Sequence, residues 1–160
     1  LTITRLSLDL ADEAATHALA RRLAASARAG DVIALGGELG AGKTSLARAF
    51  IRAALDDDAA DVPSPTFTLV QTYPGPEFVV WHVDAYRLKT PDEIWELGIE
   101  EAFADGVLLI EWRDRLGPLL PARRLDLTLT PGPADHTRTA TLEDRGGADW
   151  ITRLAAGRAP

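Results

Sequence analysis

Val32-Ile33-Ala34-Leu35-Gly36-Gly37-Glu38-Leu39-Gly40-Ala41-Gly42-Lys43-Thr44-Ser45 passes from an apolar run through a glycine-rich turn into a segment of helical spacing. Residues 32–35 read as a short buried strand, residues 36–42 as the turn, and residues 43–55 as an amphipathic helix. Gly37, Gly42, Lys43 and Thr44 complete the pattern G-x-x-x-x-G-K-[ST]. The residue types suit one chemistry. Triphosphate oxygens need several converging backbone N–H groups, which a glycine-rich turn lets approach closely, and the following helix N-terminus adds partial positive charge. Lys43 is placed to reach the β- and γ-phosphates, and the Thr44 hydroxyl to reach a Mg2+ ion bridging them. Strand, turn and helix in this order predict an α/β fold. It should be a P-loop NTPase-like, mainly parallel sheet flanked by helices, with antiparallel strands toward its edges.

The flanking sequence fits that plan. Residues 2–8 alternate as an edge strand, and a helix capped by Asp12 should run on until Gly30 stops it. Downstream, an acidic connector spans residues 56–61, and Ser64-Pro65-Thr66 is barred from helix by its proline. Residues 67–73 and 78–84 read as a hairpin around Pro74-Gly75-Pro76, with a helix near residues 91–97 and a buried strand at 107–110. Residues 125–129 and 137–142 form a last strand pair, followed by a short helix at 149–154. One domain is expected over residues 1–156, with 157–160 as a frayed tail.

Composition narrows the function classes. The chain of 160 residues has no cysteine, which excludes disulfides, thiolate metal sites and cysteine nucleophiles. No apolar run approaches the ~20 residues of a membrane helix, so no membrane role and a cytoplasmic location are expected. Seventeen basic against 24 acidic residues leave a net charge of −7, which disfavours unaided binding to a phosphate backbone.

A phosphate site of this kind needs an acidic anchor for the metal at the end of an apolar strand. Two residues qualify: Asp84, after Phe78-Val79-Val80-Trp81-His82-Val83, and Glu111, after Val107-Leu108-Leu109-Ile110. Spacing does not separate them; one can hold the metal while the other orients water. His82 reads as packed or hydrogen-bonded rather than metal-ligating. His17 and His136 read as surface residues, and Trp81, Trp95 and Trp150 as core or rim aromatics.

With these residues in place, the order GELGAGKT (37–44), SPTFTLV (64–70), HVDAYRL (82–88), ELGIEEAF (96–103) and IEW (110–112) resembles the TsaE family, over about Asp12 to Trp112. The resemblance implies an ATPase using ATP and Mg2+. It implies that Lys43, Asp84 and Glu111 are catalytic, and that Thr44, Asp84 and Glu111 serve the metal. Gly37, Gly40, Ala41, Gly42, Lys43, Thr44 and Ser45 would hold the phosphates, Glu13 to Thr16 would border the adenine, and Ser64, Thr66, Tyr86 and Trp112 would lie around the site. TsaB and TsaD are the implied partners in threonylcarbamoyl modification of tRNA, with tRNA met only indirectly. Many family members carry proline where this chain has Arg113, so the loop after Trp112 should differ.

Two other readings remain open from sequence. A small-molecule kinase would use Arg113, Arg115, Arg123 and Arg124 as a phosphate-clamping lid. A nucleotide-binding assembly factor would use nucleotide only to order residues 64–67. Those residues themselves read either as a rigid turn with strand entry or, as the resemblance favours, as a switch sensing the γ-phosphate.

Overall fold

The computed structural model describes residues 4–38, 40–63 and 69–157. Within them, β1 (Arg5–Leu10), α1 (Glu13–Ser26), β2 (Val32–Gly36), α2 (Lys43–Leu55), β3 (Val70–Pro74) and β4 (Val79–Asp84) form the first half. The second half comprises α3 (Ala102–Asp105), β5 (Gly106–Glu111), β6 (Arg124–Pro131), β7 (Arg138–Arg145) and α4 (Trp150–Ala156). Parts of several expected features lie outside the described residues: residues 1–3 of the first strand, Leu39 of the glycine turn, the Ser64 to Thr68 segment and the tail from 158 onward.

All seven strands join one sheet in the order β1-β7-β6-β2-β5-β4-β3. The four central strands β6, β2, β5 and β4 are parallel. The edges are antiparallel, β3 against β4 and β7 against both β6 and β1. β2 and β5 are buried at every position, as strands covered on both faces must be. Their alternate side chains divide between two cores. Ile33, Leu35, Val107 and Leu109 meet Leu23, Leu46, Phe50 and Trp150 on one face. Val32, Leu108 and Ile110 meet Ile94, Ile99 and Leu116 on the other.

Two local outcomes differ from expectation. α1 ends at Ser26, not at Gly30, because Ala27 turns extended and the amide of Arg28 donates to Asp31 Oδ2 at 2.6 Å. Gly30, at φ 93°, instead shapes the turn into β2, its amide donating to Gly106 O. The helix expected near residues 91–97 is a 3₁₀ helix, Pro91–Leu97, ended by Gly98 in the left-handed region, and short 3₁₀ segments cover this second face. At the far end of the sheet, Arg153 of α4 is buried and grips Asp31 with both terminal nitrogens, at 2.8 and 3.0 Å, and Ser26 O at 2.7 Å. Trp150 beside it is fully buried.

Candidate functional site

β2 delivers the chain to the glycine turn at the carboxyl end of the central strands, and α2 begins at Lys43. Gly42 takes φ 101° as the residue preceding α2, a conformation that suits glycine. Gly37 is confined by space as well, since a Cβ there would stand 2.5 Å from Leu129 O.

The Lys43 ammonium donates to the carbonyls of Gly37 and Glu38 and lies 3.7 Å from the centre of the Trp112 ring. Burial lowers its pKa, while the carboxylates of Glu111, Asp114 and Asp84 oppose that effect. Trp112 is held by a left-handed backbone, φ 62°, directly after β5. The Tyr86 ring packs on it at 4.9 Å, and Arg115 lies over Tyr86.

At the second residue of α2, Thr44 Oγ1 donates to Glu111 Oε1 at 3.0 Å. The other carboxylate oxygen, Oε2, pairs with His82 Nε2 at 2.6 Å. Asp84 is the register partner of Glu111 across the parallel pair β4–β5. In-register residues of neighbouring strands face the same way, so both carboxylates stand on the α2 side. The Asp84 side chain also accepts from the Tyr86 amide at 2.9 Å.

Two clefts adjoin the turn. The first, about 220 Å³, is lined by Gly40, Gly42, Lys43, Thr44, Ser45, Glu111 and Trp112. The second, about 420 Å³, lies between the start of α1, with Asp12, Glu13 and Thr16, and the β6–β7 hairpin, with His136 and Arg138; Gly42 and Ser45 form its floor. The sites expected at Glu13 and at the phosphate turn are therefore contiguous through Gly42 and Ser45.

The sequence reading missed several contacts here. His17 is not simply a surface residue, since its Nε2 lies 3.0 Å from Ser45 Oγ, which also donates to Glu13 Oε1. Arg138 donates to Ala41 O and Gly40 O and so steadies the turn from the hairpin side; no local pattern marks it, because β7 reaches the turn only through topology. Trp95 is exposed while Trp150 is core.

The arginine lid of the kinase reading does not assemble. Arg113 lies beneath the turn, donating to Ala34 O at 3.1 Å and Thr128 Oγ1 at 2.6 Å. Arg123 and Arg124 pair with Asp31, Asp149 and Asp126 at the opposite end of the sheet.

The donor set suits a small hard cation. A hydroxyl and two carboxylates offer only oxygen, and such an ion is held by one or two carboxylates together with phosphate oxygens and water. Among the described residues there is no group of three His, Cys, Asp or Glu side chains that would cage a metal by itself.

A parallel sheet core whose central strand runs through a glycine turn into a lysine-started helix defines a P-loop NTPase-like α/β protein. The family model described as "Threonylcarbamoyl adenosine biosynthesis protein TsaE" matches residues 10–140, and the chain belongs to the TsaE family. The match extends past Trp112 through β6 and into β7. The protein named "tRNA threonylcarbamoyladenosine biosynthesis protein TsaE" of Rickettsia bellii is 40% identical over 120 residues, 75% of this chain and 83% of the relative. Its namesake in Streptomyces coelicolor is 38% identical over 147 residues, 84% of this chain and 93% of the relative. The crystal structure of YdiB from Bacillus subtilis superposes with a TM-score of 0.81 at 28% identity, covering 99% of both chains.

Proposed function

We propose that the protein is a Mg2+-dependent ATPase that supports threonylcarbamoyl modification of a tRNA adenosine, working in the cytoplasm with TsaB and TsaD and meeting tRNA only through them. The pathway follows from family membership. The observation that carries the ATPase reading is the convergence of Lys43, Thr44, Glu111 and Asp84 from two adjacent parallel strands and one helix.

In this reading the backbone amides of residues 40–45 and the Lys43 ammonium take the phosphate oxygens, the ammonium exchanging the Gly37 and Glu38 carbonyls for them. Thr44, Asp84 and Glu111 would hold Mg2+, which when bound would neutralise charge on the phosphate oxygens. A carboxylate of the Asp84–Glu111 pair orients the attacking water. Glu13 and its neighbours at the start of α1 border the adenine in the larger cleft. Trp112 covers Lys43 and excludes water from it.

The test is phosphate release with and without TsaB and TsaD, using radiolabelled ATP. Release of the γ-phosphate to water is expected; its transfer to a small-molecule acceptor, or binding without turnover even with both partners present, overturns the reading. No strong, salt-sensitive binding of tRNA to the protein alone is expected.

A further inference from the structure

We propose that His82 is the positioning residue for Glu111, holding its carboxylate so that one oxygen is turned to Thr44 and the phosphate cleft. This rests on the ATPase reading for what Glu111 does, and on geometry alone for what His82 does. His82 is wholly buried on β4, between β5 and the edge strand β3. β4 places it two residues before Asp84 and so on the same face, the face of α2. Among the described residues its one polar partner is Glu111 Oε2, at 2.6 Å, and none of them offers a partner to its Nδ1. A buried imidazole with a single polar tie is explained by that tie, since an apolar side chain would otherwise serve the core at lower cost.

The carboxylate also identifies the donor. A carboxylate oxygen accepts, so the hydrogen of this contact sits on Nε2, which donates to Glu111 Oε2. The carboxylate, only 2% exposed, is then gripped from both sides: Oε2 by His82 and Oε1 by Thr44. With Oε2 committed to His82, Oε1 is the oxygen turned to Thr44, which lines the cleft together with Lys43, Glu111 and Trp112. Without the imidazole donor, the carboxylate is free to rotate about its last bond, and the oxygen offered to metal or water is no longer defined.

Side-chain length supplies the test. Glutamine at position 82 places an amide N–H near the position of Nε2, whereas asparagine has a donor that stops short and leucine has none. Affinity for a fluorescent non-hydrolysable ATP analogue is measured with Mg2+ and with EDTA, beside turnover with the partner proteins present. His82→Asn and His82→Leu should lose about 10- to 100-fold of the Mg2+-dependent gain in affinity and of turnover, the usual effect of removing a group that orients a metal ligand. Their binding in EDTA should be unchanged, and His82→Gln should return both quantities toward those of the unsubstituted protein. If the leucine variant does not fold, the asparagine and glutamine pair decides. A Mg2+ gain that is absent in the unsubstituted protein, intact in His82→Asn, or equally reduced in the Asn and Gln variants overturns the proposal. If the unsubstituted protein shows the Mg2+ gain but no turnover, the ATPase reading falls while the affinities still decide the role of His82.

Discussion

Asp84 and Glu111 end adjacent parallel strands as register partners, and Glu111 accepts from the Thr44 hydroxyl at 3.0 Å. The two carboxylates thus share a face but not an environment, since Glu111 is clamped between Thr44 and His82 while Asp84 turns back to the Tyr86 amide. Glu111→Gln and Asp84→Asn remove charge with little change in volume. Each should reduce phosphate release by about 10²- to 10⁴-fold, the range for a positioned acid or base, with ATP binding better preserved than turnover. Near-normal release by either variant removes that residue from the catalytic pair.

Lys43 is the cation aimed into the glycine turn, and Trp112 shields it. Truncation in Lys43→Ala deletes a charge-assisted contact of about 1.5–3 kcal/mol. ATP affinity should fall by about 10- to 100-fold, the same energy expressed as a ratio. Calorimetric titration showing unchanged affinity would remove the phosphate-turn assignment.

Arg113 separates the ATPase from the kinase reading. Its guanidinium bonds Ala34 O and Thr128 Oγ1, tying the loop after β5 to β2 and β6 below the turn. Arg113→Ala leaves these acceptors without their donor, at a cost of about 1–3 kcal/mol, so the melting temperature should drop. A lid arginine would behave in the opposite way, leaving stability intact and abolishing transfer.

The Arg153–Asp31 pair fastens α4 to the start of β2 at the end of the sheet far from the site. Burial works against the arginine's charge, but its carboxylate partners more than compensate and raise its pKa. Removing Arg153 leaves the buried Asp31 with the Arg28 amide and the more distant Arg123 guanidinium at 3.7 Å, so Arg153→Leu should cost about 3 kcal/mol in chemical denaturation, the low end for a broken buried pair. Combining it with Asp31→Leu should recover much of that loss. A single variant as stable as the unsubstituted protein refutes the account.

The central fold and the phosphate turn were legible because they obey local rules. The apolar run 32–35, the positive-φ glycines and the bounds of α2 all follow from periodicity and turn chemistry. The edges were legible less fully. Alternation placed β6 and β7, but nothing local indicated that Arg138 would reach back across the sheet to Gly40 and Ala41. Alternation along β4 predicts a packed or hydrogen-bonded His82, and so it is. Its partner depended on the β4–β5 register, which periodicity along one strand does not contain. Arg113 likewise looked like a surface lid in sequence because its acceptors belong to two other strands.

ATP hydrolysis should be slow in the isolated protein and rise when TsaB and TsaD are added. Lys43, Thr44 and the strand-end carboxylates account for phosphate and metal, but fast hydrolysis also needs an ordered water and commonly an arginine directed at the γ-phosphate. The arginines nearest the turn are engaged elsewhere: Arg113 and Arg138 on backbone carbonyls, Arg115 over the Tyr86 ring. Arg87, in the D-x-Y-R-L stretch, is the internal candidate: a regular strand would turn it to the face opposite Asp84, but β4 ends at Asp84 and alternation does not fix where it points. A partner arginine supplied in trans is worth about 10³- to 10⁵-fold in rate, and ordering of a loop by a docked partner would act in the same direction. Steady-state phosphate release is measured for the protein alone and then with both partners, with Glu111→Gln as the blank. A large increase that disappears in the blank is expected. Fast release by the protein alone, unchanged by partners, would mean that the site is complete within this chain and would overturn the dependence on assembly.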